Sequence, residues 1–282
     1  MILGIALAFA GGTLYATGVA IQASEARVVS QEHALKLSLI KKLAVRRRWL
    51  TGTFVGLLGW VCEAGALLVA PLSVVQPALA FGLVVLLVLG ERILHEPFSA
   101  REAAGVLCII AGVAGIAAIA PERSVDHASL LMLTIVISLL GAISLLPRAL
   151  DAAGSAPPTL ITVGAGSAFA CAALISKLVA DALSTGSIPS VVLLLLPALV
   201  ASLLGVTNEM SALQRQRANQ VTPLIFMLEM LIPVLLAPFL VGESWRSPAL
   251  MAVLVAVVGL GAVLVARSGA VTGMVKASTE GS

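Results

Sequence analysis

Residues 57–77 read LLGWVCEAGALLVAPLSVVQP, and residues 203–223 read LLGVTNEMSALQRQRANQVTP. At an offset of 146 positions, 8 of the 21 residues are identical without a gap. The informative identities are a glycine, a glutamate and a proline: Gly59 with Gly205, Glu63 with Glu209, and Pro77 with Pro223. A carboxylate inside an apolar run is costly, so its presence at the same place in both copies indicates a duplicated membrane protein.

The repeat extends in both directions from this stretch. The further matches are Val106, Leu107 and Gly112 with Val253, Leu254 and Gly259, and Gly12, Tyr15, Ala16 and Ile21 with Gly166, Phe169, Ala170 and Ile175. We therefore expect a single transmembrane domain over 1–282, with a first repeat at 2–120, a connecting helix at 129–147 and a second repeat at 159–267.

Composition excludes a soluble domain. Hydrophobic residues make up 60% of the chain, charged residues make up 11%, and the mean hydropathy is +1.10. So much apolar surface requires lipid as its solvent. The net charge is only +3, and the basic residues cluster in loops, which indicates membrane orientation and no nucleic-acid partner.

The lengths of the apolar runs predict an all-α, polytopic protein, because a bilayer needs about 20 apolar residues per helix. The nine candidate spans are 2–22, 51–70, 73–91, 102–120, 129–147, 159–180, 190–213, 221–241 and 248–267. If the loop after the first span is cytoplasmic, that side receives 14 of the 17 Lys and Arg residues and the other side receives 3. The positive-inside rule then predicts a multi-pass protein of the cell membrane with the N-terminus outside and the C-terminus inside.

Two cytoplasmic segments follow from this topology: a basic loop at 23–50 and a short tail at 268–282. Leucines alternate with basic residues in the loop, so it is either an amphipathic helix on the membrane surface or a basic anchor for the second span. The topology also places the two repeats in opposite orientations, which is the construction of many secondary transporters.

The third span ends in Leu89-Gly90-Glu91-Arg92 before a glycine-rich helix, and Val241-Gly242-Glu243 echoes this motif. In these motifs the sequence resembles the drug/metabolite transporter (EamA-like) superfamily. Three further features are nine spans with a basic loop, the motif Val221-Thr222-Pro223 and the motif Glu243-Ser244-Trp245. Together they resemble the NIPA-type magnesium transporter branch of this superfamily. That branch also tends to have a lysine at the position of Lys177. The resemblance implies transport by alternating access, with Mg²⁺ or another divalent cation as one cargo.

Buried carboxylates are the strongest candidates for a substrate site. Glu63 and Glu209 either line a shared cavity, where they are candidate metal ligands, or are structural groups that pair with Lys177 or stay neutral. Glu229, in the eighth span, is a candidate proton-coupling group or cation ligand. Lys177 is either a counter-ion to a carboxylate or a residue that extends to the outer interface.

Other polar residues lie close to these carboxylates in the sequence. Gln76 and Thr222 precede the two repeat prolines, and Asn208 is adjacent to Glu209. Tyr15 gives the first span a polar face, and Trp60 lies one turn before Glu63. Candidate substrate-binding residues in this set are Gln76, Thr222, Asn208 and Tyr15. Trp60 is a candidate for the wall of the cavity. Glu91 and Glu243, at span ends, are expected to be structural.

Transport is the leading interpretation, with a small organic metabolite or amphiphile as the alternative cargo. A membrane scaffold and a lipid-modifying enzyme are the non-transport alternatives, but loop 92–101 offers only a sparse set of polar residues for such an enzyme. The sequence has no phosphate-binding glycine loop, which argues against an ATPase. We therefore expect no enzymatic activity and no cofactor. The expected partners are the lipid bilayer, a small solute or divalent cation and, as an open alternative, a second copy in a homodimer.

Overall fold

The computed structural model describes residues 2–26, 28–30, 33–85, 89, 100–119, 122–153, 156–216, 218–243 and 245–279. Within these residues the chain is α-helical and contains no strand, which confirms the predicted all-α class. In chain order the helices are α1 (Ile2–Ala26), α2 (Leu37–Leu43), α3 (Arg47–Val69), α4 (Leu72–Leu79), α5 (Ala100–Ala118), α6 (Leu130–Ala152), α7 (Pro158–Ser184), α8 (Ile188–Arg215), α9 (Ala218–Leu240) and α10 (Pro248–Thr279).

Five of the described helices, α1, α3, α6, α7 and α8, are long and apolar enough to cross a membrane by length and composition. Shorter apolar stretches at 72–85, 103–116, 224–240 and 248–261 coincide with the remaining predicted spans. The fold is that of an all-α membrane protein.

The helices pack in two groups with matching neighbours. In the first group α1 packs against α3 and α4, and α4 contacts α5; in the second, α7 packs against α8 and α9, and α9 contacts α10. The groups meet where α5 packs on α10, α4 on α9 and α3 on α7. Helix α6 belongs to neither group and packs mainly on α7.

Glycines allow the helices to approach closely. A Cβ built on Gly18 of α1 would lie 2.7 Å from the carbonyl O of Gly52 of α3, closer than atoms can approach. A Cβ on Gly112 of α5 would lie 3.1 Å from the carbonyl O of Leu254 of α10. These small-residue contacts are the ordinary means of packing helices in lipid.

Caps and turns set where the helices begin and end. The Ser129 hydroxyl accepts a hydrogen bond from the Met132 N–H at the start of α6. Pro158 is the first residue of α7, where it removes no helical hydrogen bond. Gly186, with φ of 75°, makes the turn from α7 to α8.

Some predicted boundaries differ from the structure. Helix α4 ends at Leu79, and only residues 82–85 and 89 of the remaining predicted span at 73–91 are described as helical. Most of the Leu89-Gly90-Glu91-Arg92 motif therefore lies outside the described residues. At the other end of the chain α10 continues to Thr279, so most of the predicted tail at 268–282 is helical.

The described part of the basic loop at 23–50 packs against the protein. Helix α1 continues to Ala26, α3 begins at Arg47, and the short α2 lies between them. Leu39 and Leu43, one turn apart on α2, are fully buried in a cluster that includes Met210 and Leu213 of α8. The apolar side of α2 is thus buried in the bundle, because the end of α8 offers it an apolar surface out of water.

Polar contacts hold this segment, residues 28–46, in place. The Leu35 N–H donates to the Ser211 hydroxyl at 2.8 Å, with Leu35 in the left-handed region at φ of 61°. The Gln214 amide donates to the Val29 carbonyl O at 2.9 Å, and Arg46 forms an ion pair with Glu25. We call this end of the bundle the basic end and the end that carries residues 122–129 the opposite end.

Candidate binding cavity

A cavity of about 330 Å³ lies between α1, α3, α7, α8 and α9. Three carboxylates line it: Glu63 of α3, Glu209 of α8 and Glu229 of α9. The structure thus brings together the three acidic residues that the sequence identified as candidates. Lys, Arg and His are absent from the described residues that line the cavity.

Glu63 is held by two hydrogen bonds from different helices. The Tyr15 hydroxyl of α1 donates to Glu63 Oε2 at 2.7 Å, and the Gln76 amide of α4 donates to Oε1 at 2.9 Å. Tyr15 also lines the cavity, whereas Gln76 is 1% exposed and reaches Glu63 from behind. Because both oxygens accept a hydrogen bond, the carboxylate of Glu63 has a fixed position.

Glu209 and Glu229 are anchored differently from Glu63. Among the described residues, no side chain or backbone group donates a hydrogen bond to either carboxylate, although Glu209 is only 4% exposed. Glu229 lies within electrostatic range of both Glu63 and Glu209. Two of the three carboxylates are therefore available to a positively charged group in the cavity.

The remaining walls are mostly apolar and aromatic. Trp60 of α3 lines the cavity, as predicted, and its Nε1–H donates to the Ser176 hydroxyl of α7 at 3.0 Å. Phe169 and Phe226 add two aromatic rings. Such walls suit a ligand with an apolar body, because they offer it few hydrogen bonds.

The sequence analysis missed several polar residues of the cavity. The Gln22 amide of α1 donates to the Thr53 hydroxyl of α3 at 2.9 Å, and both side chains line the cavity toward the basic end. Ser176 and Ser202 were missed as well. Gln22 and Thr53 could have been predicted from their spacing, because each lies about two helical turns from Tyr15 or Trp60 on the same helix and therefore on the same face.

The candidate metal ligands Glu63 and Glu209 both line the cavity. The described residues contain no group of three or more His, Cys, Asp or Glu side chains that could hold a metal ion. In this part of the chain the two glutamates therefore lack a third protein ligand of these types.

Lys177 lies elsewhere than predicted. It is fully buried, but its Nζ donates to Asp181 Oδ1 at 2.8 Å and to the Ser124 carbonyl O at 2.6 Å, near the opposite end. Lys177 therefore does not line the cavity, and the prediction that it neutralises a cavity carboxylate is wrong; this position gives no support to the predicted role in substrate binding. Asp181, one turn further along α7, is its partner, and the spacing of four residues was the signal that could have identified it.

Asn208 and Thr222 also lie away from the cavity lining. The Asn208 amide donates to the Ser144 carbonyl O of α6 at 2.9 Å and accepts from Arg148 at 2.8 Å, so it faces α6. Thr222 is fully buried, and its hydroxyl has no hydrogen-bond partner among the described residues. Neither residue supports the predicted role in substrate binding.

Glu243 has the structural role expected of it, through an unexpected partner. Its carboxylate accepts hydrogen bonds from the backbone N–H groups of Leu72 at 2.7 Å and Ser73 at 2.9 Å, and from the Ser73 hydroxyl at 2.8 Å. It therefore caps the first turn of α4. Glu91, its proposed counterpart, lies outside the described residues.

One contact occurs at equivalent places in both copies of the repeat. A Cβ on Gly59 would lie 3.2 Å from Cδ1 of the Tyr15 ring, and a Cβ on Gly205 would lie 2.6 Å from Cε1 of the Phe169 ring. Sequence matching pairs these same residues.

Comparisons of the chain with protein-family models, with curated proteins and with solved structures found no match.

Proposed function

We propose that the chain is a secondary transporter that moves a small organic cation across the membrane by alternating access. One observation carries this proposal: the cavity is lined by three carboxylates and by no cationic side chain among the described residues. A positive charge in the cargo would compensate these carboxylates, two of which have no hydrogen-bond donor in the described part of the chain.

The repeated architecture supports transport over other functions. The neighbours of α1, α3, α4 and α5 match those of α7, α8, α9 and α10, and the single helix α6 between the groups would invert the second copy. We propose nine spans in two inverted repeats, in the cell membrane, with membership of the drug/metabolite transporter superfamily. Inverted repeats around a central site allow each half to adopt the other's conformation.

The walls of the cavity favour an organic cation over Mg²⁺. Magnesium requires near-octahedral oxygen coordination and usually retains several waters, whereas most lining residues here are apolar or aromatic. The rings of Trp60 and Tyr15 provide faces that attract a quaternary ammonium group. A divalent cation is the second candidate cargo, since the carboxylates of Glu63, Glu209 and Glu229 would compensate the charge of an ion that keeps its waters.

A scaffold or a lipid-modifying enzyme explains the cavity less well. A scaffold gains nothing from three buried carboxylates around an open space, and each of them costs about 2.5–3.5 kcal/mol on insertion scales. An enzyme needs a nucleophile or a general acid and base within hydrogen-bond reach of each other. Among the described residues, Glu63 is hydrogen-bonded only to Tyr15 and Gln76, and Gln76 is neither an acid nor a base.

Uptake into proteoliposomes tests the proposal, with benzyltrimethylammonium and Mg²⁺ measured side by side. We expect uptake of the organic cation, and we expect Glu209→Gln and Glu229→Gln to lower its initial rate by about tenfold or more, because each removes a charge that would stabilise the cargo in the cavity. A tenfold change corresponds to about 1.4 kcal/mol. Glu122→Gln, which changes an exposed carboxylate away from the cavity, is the matched control. Uptake of Mg²⁺ alone, or equal rates in all variants, would contradict the proposed cargo.

A further inference from the structure

The cavity is open on one side, between α3 and α8. Leu57 of α3 and Leu195 and Leu199 of α8 line it, yet they are 57%, 44% and 56% exposed. Although α3 and α8 both line the cavity, they do not pack along each other in the described structure. These leucines connect the interior of the cavity with the outer surface of the bundle.

The two ends of the cavity are better closed than this side. Toward the basic end, the Gln22–Thr53 hydrogen bond joins α1 to α3, and residues 28–46 pack across the end of α8. Toward the opposite end, Trp60 is bonded to Ser176, and Arg123 donates to the Leu67 carbonyl O at 2.9 Å and to Asp181 at 2.6 Å. Routes from water along the bundle axis therefore cross hydrogen bonds between helices.

The side opening lies near mid-depth of the proposed membrane. Leu57 is close to the centre of α3, and Leu199 is close to the centre of α8. In a bilayer, exposed leucines at this depth contact acyl chains and not headgroups or water. Next to Leu57, a Cβ on Gly56 would meet no atom within 4 Å, so the cavity wall is also open on its inner side.

We propose that the cargo enters this cavity sideways from the hydrocarbon layer, through the opening between α3 and α8, and is therefore an amphiphilic cation. Its apolar body would pass between the leucines, and its charge would be stabilised inside by the carboxylates of Glu209 and Glu229. The inference rests on the proposed function for the charge of the cargo, and on the exposed lining leucines for its route.

The opening itself can be tested without any cargo. In a variant with Trp60 as its only tryptophan (Trp49→Phe, Trp245→Phe), we would measure fluorescence in nanodiscs made with lipids brominated near the middle of one acyl chain. We expect the brominated lipids to quench the Trp60 fluorescence strongly, and we expect weaker quenching in Gly56→Leu, because the leucine side chain fills the opening. Gly141→Leu, at another glycine with no atom within 4 Å of its Cβ, is the matched control on α6. Quenching that Gly56→Leu leaves unchanged would overturn the lateral opening.

The route is tested by closing the gap reversibly. In a background without Cys62, Cys108 and Cys171, Leu57→Cys and Leu199→Cys would be bridged by a reducible bifunctional thiosulfonate. We expect the bridge to slow binding of dodecyltrimethylammonium by about tenfold or more, with recovery on reduction, as for a blocked gate. The comparison is with each single-cysteine variant treated alike, which carries the reagent but cannot form the bridge.

The outcomes separate the route from the proposed function. Unchanged binding kinetics in the bridged protein would overturn lateral entry and leave the proposed cargo intact. If brominated lipids quench Trp60 but the wild-type protein does not bind dodecyltrimethylammonium, the proposal of a cationic cargo is wrong, and so is the proposal of an amphiphilic cation.

Discussion

Asp181 is the residue on which the polar network at the opposite end depends. Its carboxylate, 1% exposed, contacts Lys177 at 2.8 Å, Arg123 at 2.6 Å and the His127 ring at 3.1 Å. The Lys177 ammonium is completely buried. A buried charge of this kind is tolerated only while its partner remains.

We expect Asp181→Asn to destabilise the protein by about 3–5 kcal/mol, because it leaves Lys177 buried without an opposite charge. Thermal unfolding in detergent or nanodiscs measures this. The double substitution Asp181→Leu with Lys177→Met removes both charges and should recover much of the loss. If Asp181→Asn unfolds at the wild-type temperature, the network contributes little and Lys177 has another counter-charge.

At the scale of helices, α5 and α10 form an interface built on glycine. A Cβ on Gly261 of α10 would overlap the Gly105 carbonyl O of α5 and would lie 2.8 Å from Ile109 Cγ1. Gly259, two residues earlier on the same helix, has no atom within 4 Å of its Cβ position. The two glycines therefore provide a matched pair.

Gly261→Ala should cost about 1–3 kcal/mol, because the backbone atom it meets cannot turn away. Gly259→Ala should be neutral or stabilise the protein by up to about 1 kcal/mol, since alanine is the better helix former. Unfolding of both variants under the same conditions gives the comparison. Equal effects at the two positions would mean that α5 and α10 do not pack as closely as described.

The sequence predicted the helices better than it predicted their partners. Buried glutamates in apolar spans indicated the cavity, because charge in lipid is rarely accidental, and Tyr15 and Gln76 do contact Glu63. Asn208 was misplaced because adjacency to Glu209 in sequence turns its side chain to another face of the helix. The cap that Glu243 places on α4 joins residues 170 or more positions apart, a contact that local patterns cannot reveal.

Residues 28–46 show the same limit of local sequence patterns. Leucines alternating with lysines indicate an amphipathic surface, but the pattern does not say whether lipid or protein covers it. Burial of Leu39 and Leu43 against α8 was decided by the position of that helix end in the bundle. Tertiary packing determined the outcome.

At the scale of the whole molecule, the orientation of the two helix groups depends on α6. If α6 crosses the membrane alone between two groups of four crossings, the second group is inverted, and residues 122–129 and 185–187 share one side. The basic residues of 28–46 then lie on the other side, where the positive-inside rule places the cytoplasm.

Cysteine labelling from outside intact cells tests this orientation. In a cysteine-free background, we expect an impermeant maleimide to label Asp126→Cys and Thr185→Cys, two exposed positions, before the membrane is opened. Lys41→Cys, at an exposed position of α2, should be labelled only after permeabilisation, because 14 of the 17 basic residues fall on that side. The proposed topology places two crossings, α6 and α7, between Asp126 and Thr185. Labelling of Asp126→Cys and Thr185→Cys from opposite sides would mean that one of these helices does not span the membrane and that the repeats are not inverted. Labelling of all three from outside would instead contradict the exclusion of the basic end from the outer surface, and the nine-span topology with it.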